Sequence, residues 1–136
     1  VIVSLSSTFQ NQRQTLVQII QALSTLPVRG LVTLGPAMAD EKFDAYDNII
    51  VSQAVPHSQV MPKAAAVVTH AGHGTVMRAL ANGVPLVCMP MGRDQTDNAS
   101  RIEHHGAGVK VSSRAKSSQI KRAITLVLNN AEYKDR

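Results

Sequence analysis

The stretch Ala65-Ala66-Val67-Val68-Thr69-His70-Ala71-Gly72-His73-Gly74-Thr75 leaves an apolar run, passes two glycines, and enters a helical pattern that continues through about Asn82. The short run at 65–69 reads as a buried strand, and the glycine-rich turn at 71–74 ends it. The same unit recurs on both sides. Upstream, residues 1–5 read as a strand, followed by the polar turn Ser6-Ser7-Thr8 and a helix over about 12–25. On that helix Leu16, Ile19, Ile20 and Leu23 fall at i, i+3, i+4 and i+7, one apolar face. A second strand at 30–34 stops at the breaker pair Gly35-Pro36, a third lies at 48–52, and a short helix around 58–63 leads back to the fourth. Downstream come a fifth strand at 85–89, a helix at 95–105, and a sixth strand at 107–111. A last helix places Ile120, Ala123, Ile124, Val127 and Leu128 on one stripe, with Ser117 or Ser118 available as its cap.

Short apolar strands alternating with helices predict an α/β fold: one doubly wound, Rossmann-like parallel sheet of six strands, covered on both faces. Such sheets bind ligands beyond the carboxyl ends of their strands, near the point where strand order reverses. The loops after the strands are therefore where chemistry is expected.

Composition narrows the classes. The 136 residues suffice for one domain with a real core, and 44% hydrophobic against 17% charged excludes a disordered tail. No apolar run approaches the ~18 residues of a membrane span, so no membrane insertion and a soluble, cytoplasmic chain are expected. The single cysteine, Cys88, excludes an internal disulfide framework and reads as a core residue. Four aromatics (Phe9, Phe43, Tyr46, Tyr133) and no tryptophan leave little for stacking on nucleic acid. The chain carries +5 overall, but residues 1–50 hold three basic and four acidic groups while residues 51–136 hold eleven and five. A basic second half fits an anionic ligand or a solvated surface, and the run Lys110, Arg114, Lys116, Lys121 and Arg122 reads as a solvated face. The chain opens on Val1 in a strand, without initiator methionine or signal peptide, as a domain excised from a longer protein would.

Three loops carry candidate chemistry. At His70 to Thr75, glycines let backbone approach a ligand and the helix start offers free N–H groups, which makes a phosphate seat. A histidine at the strand end can donate to a phosphate oxygen and steady a departing diphosphate. The alternatives are a plain tight turn and a histidine satisfied by a backbone carbonyl. The pattern matches neither GxGxxG nor GxxxxGK[ST]. After the fifth strand, Asp94-Gln95 pairs an acceptor with a donor suited to sugar hydroxyls, although Asp94 equally suits a helix cap. After the third strand, Ala54-Val55-Pro56-His57 could hold a flat base edge or be only a loop. The histidines His57, His70, His73, His104 and His105 lack the i, i+4 spacing and carboxylate of a catalytic metal site, and no G-x-S-x-G is present.

These stretches, in this order and each after the matching strand, resemble a known family along nearly the whole chain. The motifs are His70-Ala71-Gly72-His73-Gly74-Thr75, Asp94-Gln95 with Asn98-Ala99, and Val55-Pro56-His57. The chain is similar to the C-terminal, donor-binding domain of family 1 GT-B glycosyltransferases, most of all bacterial enzymes acting on macrolides and enediynes, relatives of the plant UDP-glycosyltransferases. The resemblance implies inverting transfer from a UDP- or dTDP-sugar to a hydroxyl of a small-molecule acceptor, without cofactor or metal. Ser6, Ser7, His70, Gly72, His73, Gly74 and Thr75 would reach the diphosphate, with His70 stabilising the leaving group. Ala54, Val55 and His57 would face the base, and Asp94 and Gln95 would hold the transferred sugar. The general base would belong to an N-terminal domain outside this chain, which alone would bind donor without turnover.

Three positions depart from the family pattern. Ala54 stands where plant relatives stack a tryptophan on the base, Arg78 where they hold ribose with a glutamate, and Ser6 where glycine is usual. The Arg78 change favours a thymidine diphosphate donor. Two further readings share the fold: a nucleotide-sugar binding module without transfer, and a nucleotide-sugar epimerase or lipid-intermediate transferase. An upstream domain carrying a histidine base would separate the transferase from the binding module.

Overall fold

The computed structural model describes residues 1–4, 12–33, 46–52, 62, 64–71, 73–90, 93–112 and 114–129. The expected turn at 6–8 and the breaker pair Gly35-Pro36 lie outside the described residues, as does nearly all of the short helix at 58–63.

Six short strands form one parallel sheet: β1 (Ile2–Ser4), β2 (Gly30–Thr33), β3 (Ile49–Ser52), β4 (Val67–Thr69), β5 (Leu86–Cys88) and β6 (Gly108–Lys110). Their order is β3-β2-β1-β4-β5-β6, the doubly wound arrangement that the alternating pattern predicts. Several strands are shorter than their apolar runs because the ladder closes early, yet the flanking residues still bond across it. Ile2 N–H donates to the Ala66 carbonyl (3.0 Å), Val67 N–H to Pro85 (3.0 Å) and Leu86 N–H to Ala107 (3.1 Å).

Four helices cover the sheet: α1 (Gln12–Ser24), α2 (His73–Ala81), α3 (Arg93–His104) and α4 (Ser117–Asn129). The register aligns Ile2, Val67 and Leu86 in one row and Val3, Val68 and Val87 in the next. Successive side chains leave opposite faces of a strand. The Val3 row packs against α1 and α4 through Leu16, Ile19, Ile20, Leu23, Ile120, Ala123, Ile124 and Val127, the two stripes legible in the sequence. The Ile2 row packs against α2 and α3 through Val76, Ala79, Ala99 and Ile102. Each large aliphatic side chain so buried contributes about 1.5–3 kcal/mol. Cys88 belongs to this second cluster, and burial, followed by the Glu103 carboxylate, pushes its thiol up to about 12. It is a protonated core residue.

The helix ends explain how the chain re-enters the sheet so quickly. Behind α2, Val84 N–H reaches back to the Ala79 carbonyl (2.9 Å) and Gly83 N–H to Leu80 (3.2 Å). Behind α3, Ala107 N–H bonds to Ile102 (3.0 Å) and Gly106 N–H to Glu103 (3.1 Å). Gly83 and Gly106 sit at φ 66° and 72°, the left-handed residue such a cap requires. The end of α1 is closed by a side chain. Asn48 Nδ2 donates to the carbonyls of Leu23 (2.9 Å), Leu26 (3.4 Å) and Val28 (2.9 Å).

Two expected caps are corrected. Helix α3 begins at Arg93, so Asp94 is its second residue, within the first turn. At the start of α4, Lys116 N–H bonds to Gln119 Oε1 (3.3 Å) and Ser117 N–H to Gln18 Oε1 (2.8 Å). Glutamines, one of them reaching across from α1, satisfy those amides, and Ser117 is the first helical residue.

Candidate functional site

Strand order reverses between β1 and β4, and the carboxyl ends of these strands carry the first element of the site. Ser4 pairs with Thr33 on one side and with Thr69 on the other, and Thr33 pairs with Ser52. Four adjacent strands thus end on a row of hydroxyl side chains. Ser4 and Thr69 are buried. Thr33 Oγ1 donates to the Val3 carbonyl at 3.1 Å, while Thr69 Oγ1 accepts from Ala71 N–H at 3.3 Å.

His70 follows Thr69 directly and is half-buried. Burial lowers its pKa from the ordinary imidazole value, and a hydrogen bond with the Ser4 main chain raises it part of the way back. Its Nδ1 is buried and has no hydrogen-bond partner among the described residues. Such an orphan is costly unless something fills the position. Burial thus biases the imidazole toward its neutral form.

Ala71 turns the chain from β4 into α2. Its φ is 72°, left-handed for a residue with a side chain, a conformation that costs on the order of 1–3 kcal/mol. It is fully buried, and both of its main-chain groups are held. The N–H meets Thr69 Oγ1, and the carbonyl accepts from Asn98 Nδ2 of α3 at 3.1 Å. Helix α2 then begins at His73, so its first N–H groups, which have no acceptor within the helix, sit one turn beyond the imidazole. At Gly74 the space that a side chain would occupy is empty, and Thr75 is half-buried. The free N–H groups of a helix start, with open space at Gly74, are groups that can receive an oxyanion.

Of the expected site residues, His70 follows the end of β4, and Gly74 and Thr75 lie in the first turn of α2. His73, Asp94 and Gln95 are placed by their backbone, at the starts of α2 and α3. Ser6, Ser7, Ala54, Val55, His57 and Gly72 lie outside the described residues. The sequence did not mark Ser4 and Thr69 as lying at this strand end, since leucine follows Ser4 and Thr33 and only the structure ends the strands at residues 4, 33, 52 and 69. The bond from Asn98 to Ala71 has no signal in the sequence. Among the described residues, no group of three or more His, Cys, Asp or Glu could hold a metal ion. No described helix is long and apolar enough to cross a membrane. A cavity of about 580 Å³ opens along α2 and α3, between Val76, Met77, Leu80, Arg101, Ile102 and Ala107, and its lining includes His105 and Asn98, the residue that bonds to Ala71.

Solved structures share this architecture. The glycotransferase of kitacinnamycin superposes with a TM-score of 0.91 at 23% identity, over 98% of this chain and 36% of that one. The spinosyn rhamnosyltransferase SpnG complexed with thymidine diphosphate superposes with a TM-score of 0.84 at 22% identity, over 98% of this chain and 38% of that one. At such identities the likeness is one of fold. In sequence, UDP-glucuronosyltransferase 1A8 of Rattus norvegicus is 37% identical over 91 residues, 65% of this chain and 17% of the relative. The chain thus spans about a sixth of that relative's length. The profile described as UDP-glucoronosyl and UDP-glucosyl transferase matches residues 1–136, and the chain belongs to that family.

Proposed function

We propose that this chain is the donor-binding domain of an inverting glycosyltransferase, seating the diphosphate of a UDP- or dTDP-sugar at the ends of β1 and β4. The observation that carries the reading is the buried, unpartnered Nδ1 of His70 beside the left-handed Ala71 and the start of α2. In this reading Ser6, Ser7 and the backbone of 72–75 hold phosphate oxygens, residues 54, 55 and 57 face the base, and Asp94 and Gln95 hold the sugar. Placement of Asp94 and Gln95 in the first turn of α3 supports their part, because this turn follows β5, next to β4 in the sheet.

The chemistry follows from the seat. An acceptor hydroxyl oxygen attacks the anomeric carbon from the face opposite the diphosphate, and its proton passes to a base on another domain. The bond between anomeric carbon and phosphate oxygen breaks, and its electron pair leaves with the nucleoside diphosphate. Charge grows on that oxygen in the transition state, where a hydrogen bond from His70 and the N–H groups of α2 are worth most. No cofactor or metal takes part. Arg78, exposed on α2, stands where plant relatives hold ribose by a glutamate, which favours thymidine diphosphate as the nucleotide. The acceptor is a hydroxylated small molecule, and the setting is cytoplasmic.

Calorimetric titration with UDP, thymidine diphosphate and ATP tests the reading. Selective binding of a pyrimidine diphosphate is expected. Equal binding of ATP, or no binding by a chain whose circular dichroism shows it folded, overturns it.

A further inference from the structure

We infer that Asn98 is a positioning residue of the donor site, holding the turn after β4 in the one conformation that presents His70 and the start of α2 to a diphosphate. The inference rests on the donor-site reading and gives it a mechanical part that no ligand-contacting residue supplies.

Ala71 is the residue at which the chain turns from β4 toward α2. Its left-handed φ of 72° turns its carbonyl away from the course an extended strand would take. Because Ala71 is fully buried among Val67, Val76, Ala79, Cys88 and Ala99, that carbonyl has no water to turn to. The acceptor is met by Asn98 Nδ2 at 3.1 Å, from a helix 27 residues further along the chain. On the other side, Thr69 Oγ1 holds the Ala71 N–H at 3.3 Å, and the Thr69 carbonyl is itself fixed by Met89 N–H at 2.8 Å. An alanine left unclamped would relax toward ordinary negative φ, and His70 on one side and the first amides of α2 on the other would swing with it. Only a donor can serve at position 98, since the group it meets is a carbonyl.

The same bond ties two loops together. Asn98 lies one helical turn beyond Asp94 on α3, so its contact with Ala71 sets the spacing between the diphosphate seat and the first turn of α3. A change at 98 should therefore act on phosphate recognition without any direct contact with the nucleotide.

The test compares the parent chain with Asn98→Ala, Asn98→Asp, Ala71→Gly and the double variant Asn98→Ala/Ala71→Gly. Affinities for UDP and thymidine diphosphate, and for uridine and thymidine, are measured by calorimetry well below each variant's melting temperature. Asn98→Ala and the near-isosteric Asn98→Asp, which cannot donate, are expected to weaken diphosphate binding about tenfold and to leave nucleoside binding unchanged. Because glycine adopts φ 72° without strain, the double variant is expected to recover at least part of the loss. Diphosphate binding like the parent's in both Asn98 variants overturns the inference. So does an equal loss for nucleoside and diphosphate, which would mark a general loosening. A folded parent that binds no pyrimidine diphosphate instead overturns the donor-site reading itself, and this inference with it.

Discussion

His70 and Ser4 stand on neighbouring strands where the strand order reverses: His70 directly follows Thr69, the β4 residue paired with Ser4, and the Ser4 main chain raises the pKa of the ring that burial lowers. Nδ1 of the ring is buried and has no hydrogen-bond partner among the described residues. Burial and the Ser4 main chain pull the imidazole in opposite directions, with burial the larger.

A phosphate oxygen placed against His70 favours the charged ring, so binding a diphosphate takes up a proton. Diphosphate affinity should rise as the pH falls from 8 toward 6, beyond the change caused by the phosphate's own titration. His70→Asn keeps a polar side chain but does not titrate. It should lose roughly tenfold in affinity at neutral pH, the scale of one hydrogen bond to a charged group, and show only the phosphate's pH dependence. Calorimetry in buffers of different ionisation enthalpy counts the protons. Equal proton uptake by parent and variant would contradict this role.

The same burial has a consequence for stability without ligand. The folded pKa of His70 lies below its unfolded value of about 6.5. As the pH falls past that value the unfolded chain takes up this proton first, so stability present above pH 6.5 is lost as the pH drops through the folded pKa. Urea midpoints at pH 7.5 and pH 5 should fall further in the parent than in His70→Asn. A parallel fall in both would show that other groups govern the acid limb.

Asn48 offers a contrast, since its amide closes the end of α1 at the amino ends of the strands, whereas the candidate site lies at their carboxyl ends. Asn48→Ala leaves the carbonyls of Leu23 and Val28 without this donor, at a cost of about 1–3 kcal/mol in urea unfolding. Nucleotide affinity should not change. A variant with parental stability would show that water replaces the amide freely.

Gly108 is required by close approach. A Cβ there would stand 2.1 Å from the Leu86 carbonyl oxygen, within the β5–β6 pairing. Gly108→Ala must push the two strands apart or shift the register, and about 3 kcal/mol of destabilisation is expected. Chemical denaturation measures it directly, and a loss below about 0.5 kcal/mol would mean that β6 yields cheaply.

Much of this protein was legible in its amino-acid order because the signals are local. Leu16, Ile19, Ile20 and Leu23 repeat with the period of a helix, and their burial in α1 follows from that period alone. The alternation of strands and helices leaves few arrangements other than a parallel sheet, and glycines at 83 and 106 mark where helices must stop. The motif at 70–75 marked the turn from β4 into α2. Tertiary structure alone decided the rest, because it depends on groups distant in the chain. Nothing near Ser117 announces that Gln18 satisfies its amide, 99 residues away in sequence. Nothing near His70 announces that Ser4 would touch its ring, since their proximity is a matter of strand order. Nor does the alanine at 71 show in sequence that it turns left-handed. That conformation persists because Thr69 and Asn98 hold its two main-chain groups, and only the packed sheet and helix bring those partners to it.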